Sequence, residues 1–391
     1  MKERVVLLTK DALCKSYLPI YGNNDNSMPN LEQLAEKGTV FSRFYAAAPS
    51  TAMSFIGMFL KKHPYQTEHK KYVAVTNLEK DTAFDRLHED GYRCEIIWDK
   101  KWIPMAQKYS QCYGEHTNFN LIDINQTVGA HNLNKGDIPI DNDLAKATIK
   151  TIEETVSEVV AKDDGKLFLW IHLPHVLQGR NCYGGDMDMF DMVIGIIRKY
   201  FSDDAIYISA DHGNMNGTKN KICYGFDVYE SAINIPLITP RIDGMNKCDI
   251  PLSNTRIIDI MDETIPQEKF IYSDCAYYAQ PHRRLAIIQG KFKYIYNKKN
   301  KLEELYDIEF DPQENCNIAQ RTVLDIDRRV MTPLDQVYYY PCWDEAHEAL
   351  LTLRAEKDRI WREETFFQKI KEQLLAKARV VYTKIHQKGK R

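Results

Sequence analysis

Asp211, His212 and Gly213 follow directly on Ala205–Ala210, a stretch that reads as a buried strand. In open α/β sheets, ligands bind beyond the carboxyl ends of the strands. A carboxylate and an imidazole at such an end can face one metal ion, and a glycine permits a sharp turn. The tripeptide alone is weak, because a capping aspartate beside a satisfied histidine would look the same. Asp11 has the same topological position after the first apolar run, Arg4–Thr9. Taken alone it is a turn residue, and it gains weight from the second carboxylate. Ser50, Thr51 and Ser54 bring three hydroxyls to the start of an apolar run, Phe55–Leu60, that can be helical. A hydroxyl there is usually a cap. The same position also concentrates free N–H groups and positive potential suited to phosphate or sulfate, and a metal on the hydroxyl would make it a nucleophile.

Two further groups lie at predicted strand ends. His172 and His175 flank the end of Lys166–Leu173. His172 falls within the strand and reads as a core histidine. His175 lies beyond it and is the better candidate for an anion or a metal. Lys100 and Lys101 follow the strand that ends at Trp98 and could neutralise a bound anion, with a solvated lysine as the plainer reading of each.

These residues need a scaffold that brings strand ends together. Strands are predicted at Arg4–Thr9, Val40–Ala46, Tyr92–Trp98, Lys166–Leu173 and Ala205–Ala210. Helices are predicted at Pro29–Gly38, Asp81–Asp90, Ala145–Ala161 and Met187–Phe201. The alternation implies an α/β fold with a mostly parallel central sheet and helices on both faces. After Pro240 the texture changes. Phe270–Tyr272, Arg284–Ile288 and Phe292–Tyr296 read as short strands of a small antiparallel subdomain, and from Trp343 the pattern is helical. The implied division is a catalytic domain over residues 1–265, an antiparallel subdomain over 266–320 and a basic helical appendage over 321–391.

The composition is that of a globular protein, with 44% apolar and 27% charged residues and a net charge of −3. A general polyanion binder is excluded, and no nucleic-acid role is expected. Nine cysteines at irregular spacing, without a CxxC pair, fit reduced thiols. The opening apolar run is too short for a secretory leader, so a cytoplasmic protein is expected. Residues 354–391 carry 12 basic and 5 acidic side chains. That tail could touch a membrane surface or a second copy of the chain, the plainer reading being a solvated helix on its own acidic domain.

In order along the chain, the pieces resemble the sulfatase-like branch of the alkaline phosphatase superfamily. Val5 to Asp11, with Tyr21 and Gly22 ten residues on, is similar to that family's first strand and metal-binding Asp. Met28 to Phe41 resembles its "TPNLDRLAEEGVRF" segment, and Ala46 to Ser54 occupies the nucleophile segment. Gly91 to Lys101 resembles "GY…GKW", Leu167 to His175 the strand leading to "PH", and Asp211-His212-Gly213 the second metal pair. Tyr229 to Ile238, Lys291 to Tyr296 and Glu304 to Pro312 are similar to later landmarks, so the resemblance spans about residues 4–319.

The resemblance implies one divalent ion (Mn, Mg, Ca or Zn) on Asp11, Thr51, Asp211 and His212, with His175 and Lys100 assisting catalysis. A second metal set is not expected, since Asp188 and Asp191 read as surface acids on a helix. Common sulfatases carry Cys-x-Pro-Ser-Arg, whose Cys becomes formylglycine. Here the segment is Thr51-Ala52-Met53-Ser54-Phe55, and threonine cannot take that route. A lysine usual before "YEES" is also missing. The expectation is therefore a phosphoester hydrolase or phosphotransferase with Thr51 as nucleophile, two residues after Pro49, and a covalent phospho-enzyme. Its substrate would be a small-molecule or glycan ester. A sulfatase, or a mixed sulfo/phosphohydrolase, is the alternative within the family; a catalytically inactive binding protein is the alternative outside it.

Overall fold

The computed structural model describes residues 1–70, 74–76, 81–100, 112–123, 142–162, 165–174, 183–221, 224–275, 283–319, 329–331 and 337–365. Continuous apolar runs are what a strand covered on both faces requires. The first is β1 (Arg4–Lys10), whose Val5 to Leu8 are fully buried. The remaining strands are β2 (Thr39–Tyr45), a small hairpin β3 (Glu68–Lys70) and β4 (Ala74–Thr76), β5 (Tyr92–Asp99), β6 (Thr117–Ile122), β7 (Lys166–Leu173), β8 (Ile206–Ala210), β9 (Asn234–Thr239), β10 (Lys247–Cys248) and β11 (Leu252–Ser253). Apart from the hairpin, these form one nine-stranded sheet in the order β10-β2-β9-β8-β1-β7-β5-β6, with β11 beside β2. Only β9 runs against its neighbours. The expected α/β architecture, mostly parallel, is what the structure shows.

Helices cover the sheet: α1 (Pro29–Lys37), α2 (Thr51–Leu60), α3 (Ala83–Glu89), α4 (Asn142–Ala161), α5 (Tyr183–Tyr200), and the short α6 (Glu230–Ile233) and α7 (Ile257–Met261). Every residue of α2 after Thr51 is buried, and Phe55 and Phe59 meet Trp170 edge-on at 4.8 and 4.7 Å. Helix α1 begins at Pro29, whose missing N–H costs nothing there. It ends at Gly38, where a side chain would collide with the Thr239 carbonyl at 2.2 Å. Asp191 corrects the sequence reading. It is not a surface acid but is buried, and its carboxylate accepts the N–H groups of Asn30 (3.2 Å) and Leu31 (2.9 Å) at the start of α1. Asp188 is exposed, as expected.

Strands β12 (Ile271–Asp274), β13 (Arg284–Gln289), β14 (Phe292–Asn297) and β15 (Glu303–Asp307) form the antiparallel sheet, one strand more than the sequence suggested. One face meets Tyr45 of β2 and, after β8, Met215, Val228 and Ile233. Fully buried Lys293 lies there between Glu230 (3.0 Å) and Glu314 (2.8 Å). The other face is covered by α8 (Trp343–Thr365) through Leu350, Leu353, Ile360 and Trp361. The helix begins where its periodicity does. It packs on this sheet, outside the nine-stranded one. Before it, β16 (Arg329–Met331) and β17 (Val337–Tyr339) pair as a hairpin within a stretch expected to be helical. The most basic part of the tail, from residue 366, lies outside the described residues. Among the described residues, no helix is long and apolar enough to cross a membrane.

Candidate active site

Register brings the strand ends into one row. Thr9 stands opposite both His172 and Ser209 in the parallel ladders. The ladder continues one step further, since Asp11 N–H donates to the Leu173 carbonyl at 2.8 Å. Asp11 and Asp211, each two residues beyond that row, therefore share a face. Ala12 then adopts a left-handed conformation, φ 54°, which is costly for a residue with a side chain. The turn aims its N–H at Asp211 Oδ1 (3.1 Å), which also accepts from His212 N–H at 2.7 Å. Gly213 is required by proximity: a Cβ would lie 2.1 Å from the Ser231 carbonyl.

His212 Nδ1 lies 2.8 Å from the Gly213 carbonyl. A carbonyl only accepts, so Nδ1 carries the proton and Nε2 keeps its lone pair. That Nε2 is 3.5 Å from Asp11 Oδ1, 3.4 Å from Asp211 Oδ2 and 3.2 Å from Thr51 Oγ1. Among the described residues, the buried Asp11 Oδ1 and Asp211 Oδ2 accept no hydrogen bond. Burial pushes the Asp211 carboxyl up to about 6, with Asp11 adding to the rise and His212 opposing it. Two orphaned carboxylate oxygens, an imidazole lone pair and a hydroxyl make a hard, oxygen-rich donor set. The carboxylate and imidazole atoms lie within 4.8 Å of one another. These residues fit a divalent cation.

Thr51 is the first residue of α2. Ser50 precedes it in extended conformation without capping the helix, and its buried hydroxyl has no partner among the described residues. The first N–H groups of α2 are thus left beside Thr51. Ser54, one turn on, donates to the Asp211 carbonyl and accepts from Asn254 Nδ2 at 2.7 Å. Asn254 Oδ1 in turn accepts the Ala47 N–H at 2.9 Å. This chain ties the nucleophile segment to the end of β8, and nothing local in the sequence marks Asn254. The Tyr224 ring lies 4.5 Å from that of His212.

Of the other expected site residues, Lys100 is exposed at the end of β5 and its ammonium pairs with Asp123 at 3.0 Å. His175 and Lys101 lie outside the described residues. His172 is a buried histidine within β7, as the sequence suggested.

The structure thus sets a buried Asp/Asp/His cluster that could hold a metal ion and a helix-borne hydroxyl at the strand ends of a mostly parallel sheet. The sulfatase family model matches residues 3–247, and the chain belongs to the sulfatase family, in the sulfatase-like branch of the alkaline phosphatase superfamily. Among solved structures it is similar to a putative sulfatase from Bacteroides thetaiotaomicron (13% identity, 94% of each chain covered, TM-score 0.70). It is also similar to a 2-O GAG sulfatase (13% identity, 94% of each chain, TM-score 0.67). A third is the phosphonate monoester hydrolase of Agrobacterium radiobacter (12% identity, 91% of this chain and 96% of that one, TM-score 0.63). No curated protein matches the chain.

Proposed function

We propose that the protein is a metal-dependent phosphoester hydrolase or phosphotransferase that uses Thr51 as its nucleophile. The observation that carries this is the position of Thr51 Oγ1, 3.2 Å from His212 Nε2 at the uncapped start of α2. Asp11, Asp211, His212 and Thr51 would hold one divalent ion. When bound, such an ion would lower the pKa of the hydroxyl and offset charge on a substrate oxygen.

Thr51 Oγ1 attacks phosphorus in line. The Oγ1–P bond forms as the ester O–P bond breaks, and the proton given up by the Thr51 hydroxyl ends on the departing alkoxide. The free N–H groups at the start of α2 face the charge on the phosphoryl oxygens. His175, and Lys100 on leaving Asp123, are assigned to charge stabilisation of the group in transfer. Water or an acceptor alcohol then attacks phosphorus and releases the Thr51 hydroxyl. The substrate class is a small-molecule or glycan ester. The glycan part is supported by the 2-O GAG sulfatase among the structural neighbours.

A sulfatase is the second reading, favoured by the same neighbour and opposed by a threonine where a formylglycine precursor would stand. An inactive binding protein is opposed by the intact cluster of ligating groups. The described cysteines are all free and six of them are buried, which supports a reducing, cytoplasmic compartment. Contact of the basic tail with a membrane surface or a second copy rests on its charge alone.

The test is a panel of p-nitrophenyl phosphate, bis(p-nitrophenyl) phosphate, phenylphosphonate esters and p-nitrophenyl sulfate, each with Mn²⁺, Mg²⁺, Ca²⁺ or Zn²⁺. Turnover of a phosphorus ester, loss of it by several orders of magnitude in Thr51→Ala, and a phosphoryl group trapped on Thr51 in mass spectra are expected. Turnover of the sulfate ester alone, or phosphoryl trapped on Ser50 or Ser54, would overturn the reading.

A further inference from the structure

The fully buried ring of His212 is held from two directions. In its own plane, Nδ1–H donates to the Gly213 carbonyl at 2.8 Å, which leaves Nε2 as the ligating nitrogen. Against its face lies the half-buried Tyr224, with ring centroids 4.5 Å apart and planes 34° from parallel. That separation is at the close end of the range for offset aromatic stacking. A single hydrogen bond lets an imidazole tilt about it, and a ring packed on its face opposes the tilt. The Nε2 lone pair must stay on the space between Asp11 (3.5 Å), Asp211 (3.4 Å) and Thr51 (3.2 Å) for the four groups to share one ion.

The segment that carries Tyr224 is fastened to the antiparallel sheet. Three residues on, the buried Asp227 carboxylate pairs with Arg284 of β13 through Oδ1 (2.8 Å) and accepts from Lys221 Nζ through Oδ2 (2.6 Å). Five residues on, the Tyr229 hydroxyl accepts from Arg284 (3.2 Å) and donates to Glu304 of β15 (2.8 Å). Val228, between them, is fully buried in the apolar layer under that sheet. One arginine thus reaches two points of a short segment whose first side chain lies on His212.

The stack also distinguishes an empty centre from a loaded one. When Nε2 ligates a cation, the imidazole becomes partly positive. The face of a tyrosine ring is negative and attracts a positive group lying over it. The contact is therefore stronger in the loaded state, so it contributes to affinity as well as to packing.

We infer that Tyr224 is a positioning residue for the metal centre, its ring holding the face of His212, and that Arg284 keeps it there through Asp227 and Tyr229. The inference rests on the metal centre proposed above. It gives the antiparallel sheet, which supplies none of the proposed ligands, a part in binding the ion.

The test measures divalent-ion affinity by calorimetry on chelator-stripped protein, with turnover recorded separately and folding checked by Tm. Tyr224→Leu removes the ring and should weaken Mn²⁺ binding by about 3- to 10-fold. Tyr224→Phe keeps the ring and should bind as wild type does. Asp227→Asn loosens the anchor and should give a smaller loss, and in combination with Tyr224→Leu it should add nothing, because the anchor acts through the ring. In the metal-free protein, proton NMR should find the His212 ring protons shifted upfield by the tyrosine face, with the shift kept in Tyr224→Phe and lost in Tyr224→Leu. Unshifted ring protons in wild type would overturn the inference whatever the variants do. So would a folded Tyr224→Leu protein that binds Mn²⁺ as wild type does, or an equal loss in Tyr224→Phe, which would assign the effect to the hydroxyl. Additive losses in the double variant would overturn the part given to Arg284. Wild-type protein that binds no divalent ion would overturn both the metal centre and this role. Metal binding that depends on the Tyr224 ring in a protein without turnover would sink the proposed activity and leave the inference standing.

Discussion

Replacing Asp211 by Asn should make the metal-free protein more stable at neutral pH while abolishing its metal site. Burial raises the Asp211 carboxyl from its ordinary 3.8 to about 6. A raised acid means that the folded state holds the proton more tightly than the unfolded one. Folding stability therefore falls as pH rises from about 4 through 6. At about 1.4 kcal/mol per factor of ten, the displacement is worth about 3 kcal/mol once both states are ionised. Asn keeps an oxygen for the Ala12 and His212 N–H groups and carries no charge, so it escapes this penalty. The raw pH curve will not isolate the effect. His63 and His172 are pushed down to about 4 and about 3 by burial, and groups lowered in this way stabilise the fold at neutral pH and lose that contribution as pH falls. The difference between wild type and Asp211→Asn cancels both. Urea denaturation of chelator-treated proteins at pH 4, 5.5 and 7 should show the variant gaining on wild type by about 2–3 kcal/mol across that range. Adding Mn²⁺ at a hundred times its dissociation constant should return about 2.7 kcal/mol to wild type and nothing to the variant. A constant difference across pH, or equal stabilisation of both by the ion, would refute the reasoning.

Other outcomes follow from the packing. Asp191→Ala removes the acceptor for the first N–H groups of α1 and should cost about 1–2 kcal/mol in urea unfolding, with esterase activity retained at temperatures where the protein stays folded. Leu353→Ala should cost about 2–5 kcal/mol, because that side chain is fully buried against the antiparallel sheet. An effect below about 0.5 kcal/mol, the range of ordinary surface changes, would show that α8 is dispensable. Asn254→Ala strips Ser54 and the Ala47 N–H of their partner. It should lower kcat more than it raises KM by loosening the Thr51 segment, and an unchanged kcat would mean that Thr51 is held by other contacts.

The sequence determined the elements and the row of chemistry. Apolar runs such as Lys166–Leu173 can only be strands covered on both faces, and β7 has those same bounds. Chemistry-bearing residues placed just after adjacent strands of a parallel sheet lie at one edge of it, so Asp11, Asp211 and His212 were legible as a cluster before any coordinates, whereas Lys100, after β5, pairs with Asp123 instead. The helix from Trp343 was equally plain in its periodicity, whereas the burial of one of its faces was not, since a helix's partner is not written in its own spacing. The contacts of Asp191 and Asn254 were decided only by tertiary structure. An acid on a helix reads as solvated until a second helix starts against it. Asn254 acts on Ser54 across 200 residues of chain. Local pattern follows from backbone geometry and hydrophobic burial, which act within a few residues. Pairing of polar atoms depends on which strands and helices become neighbours, and that is settled only when the whole sheet has formed.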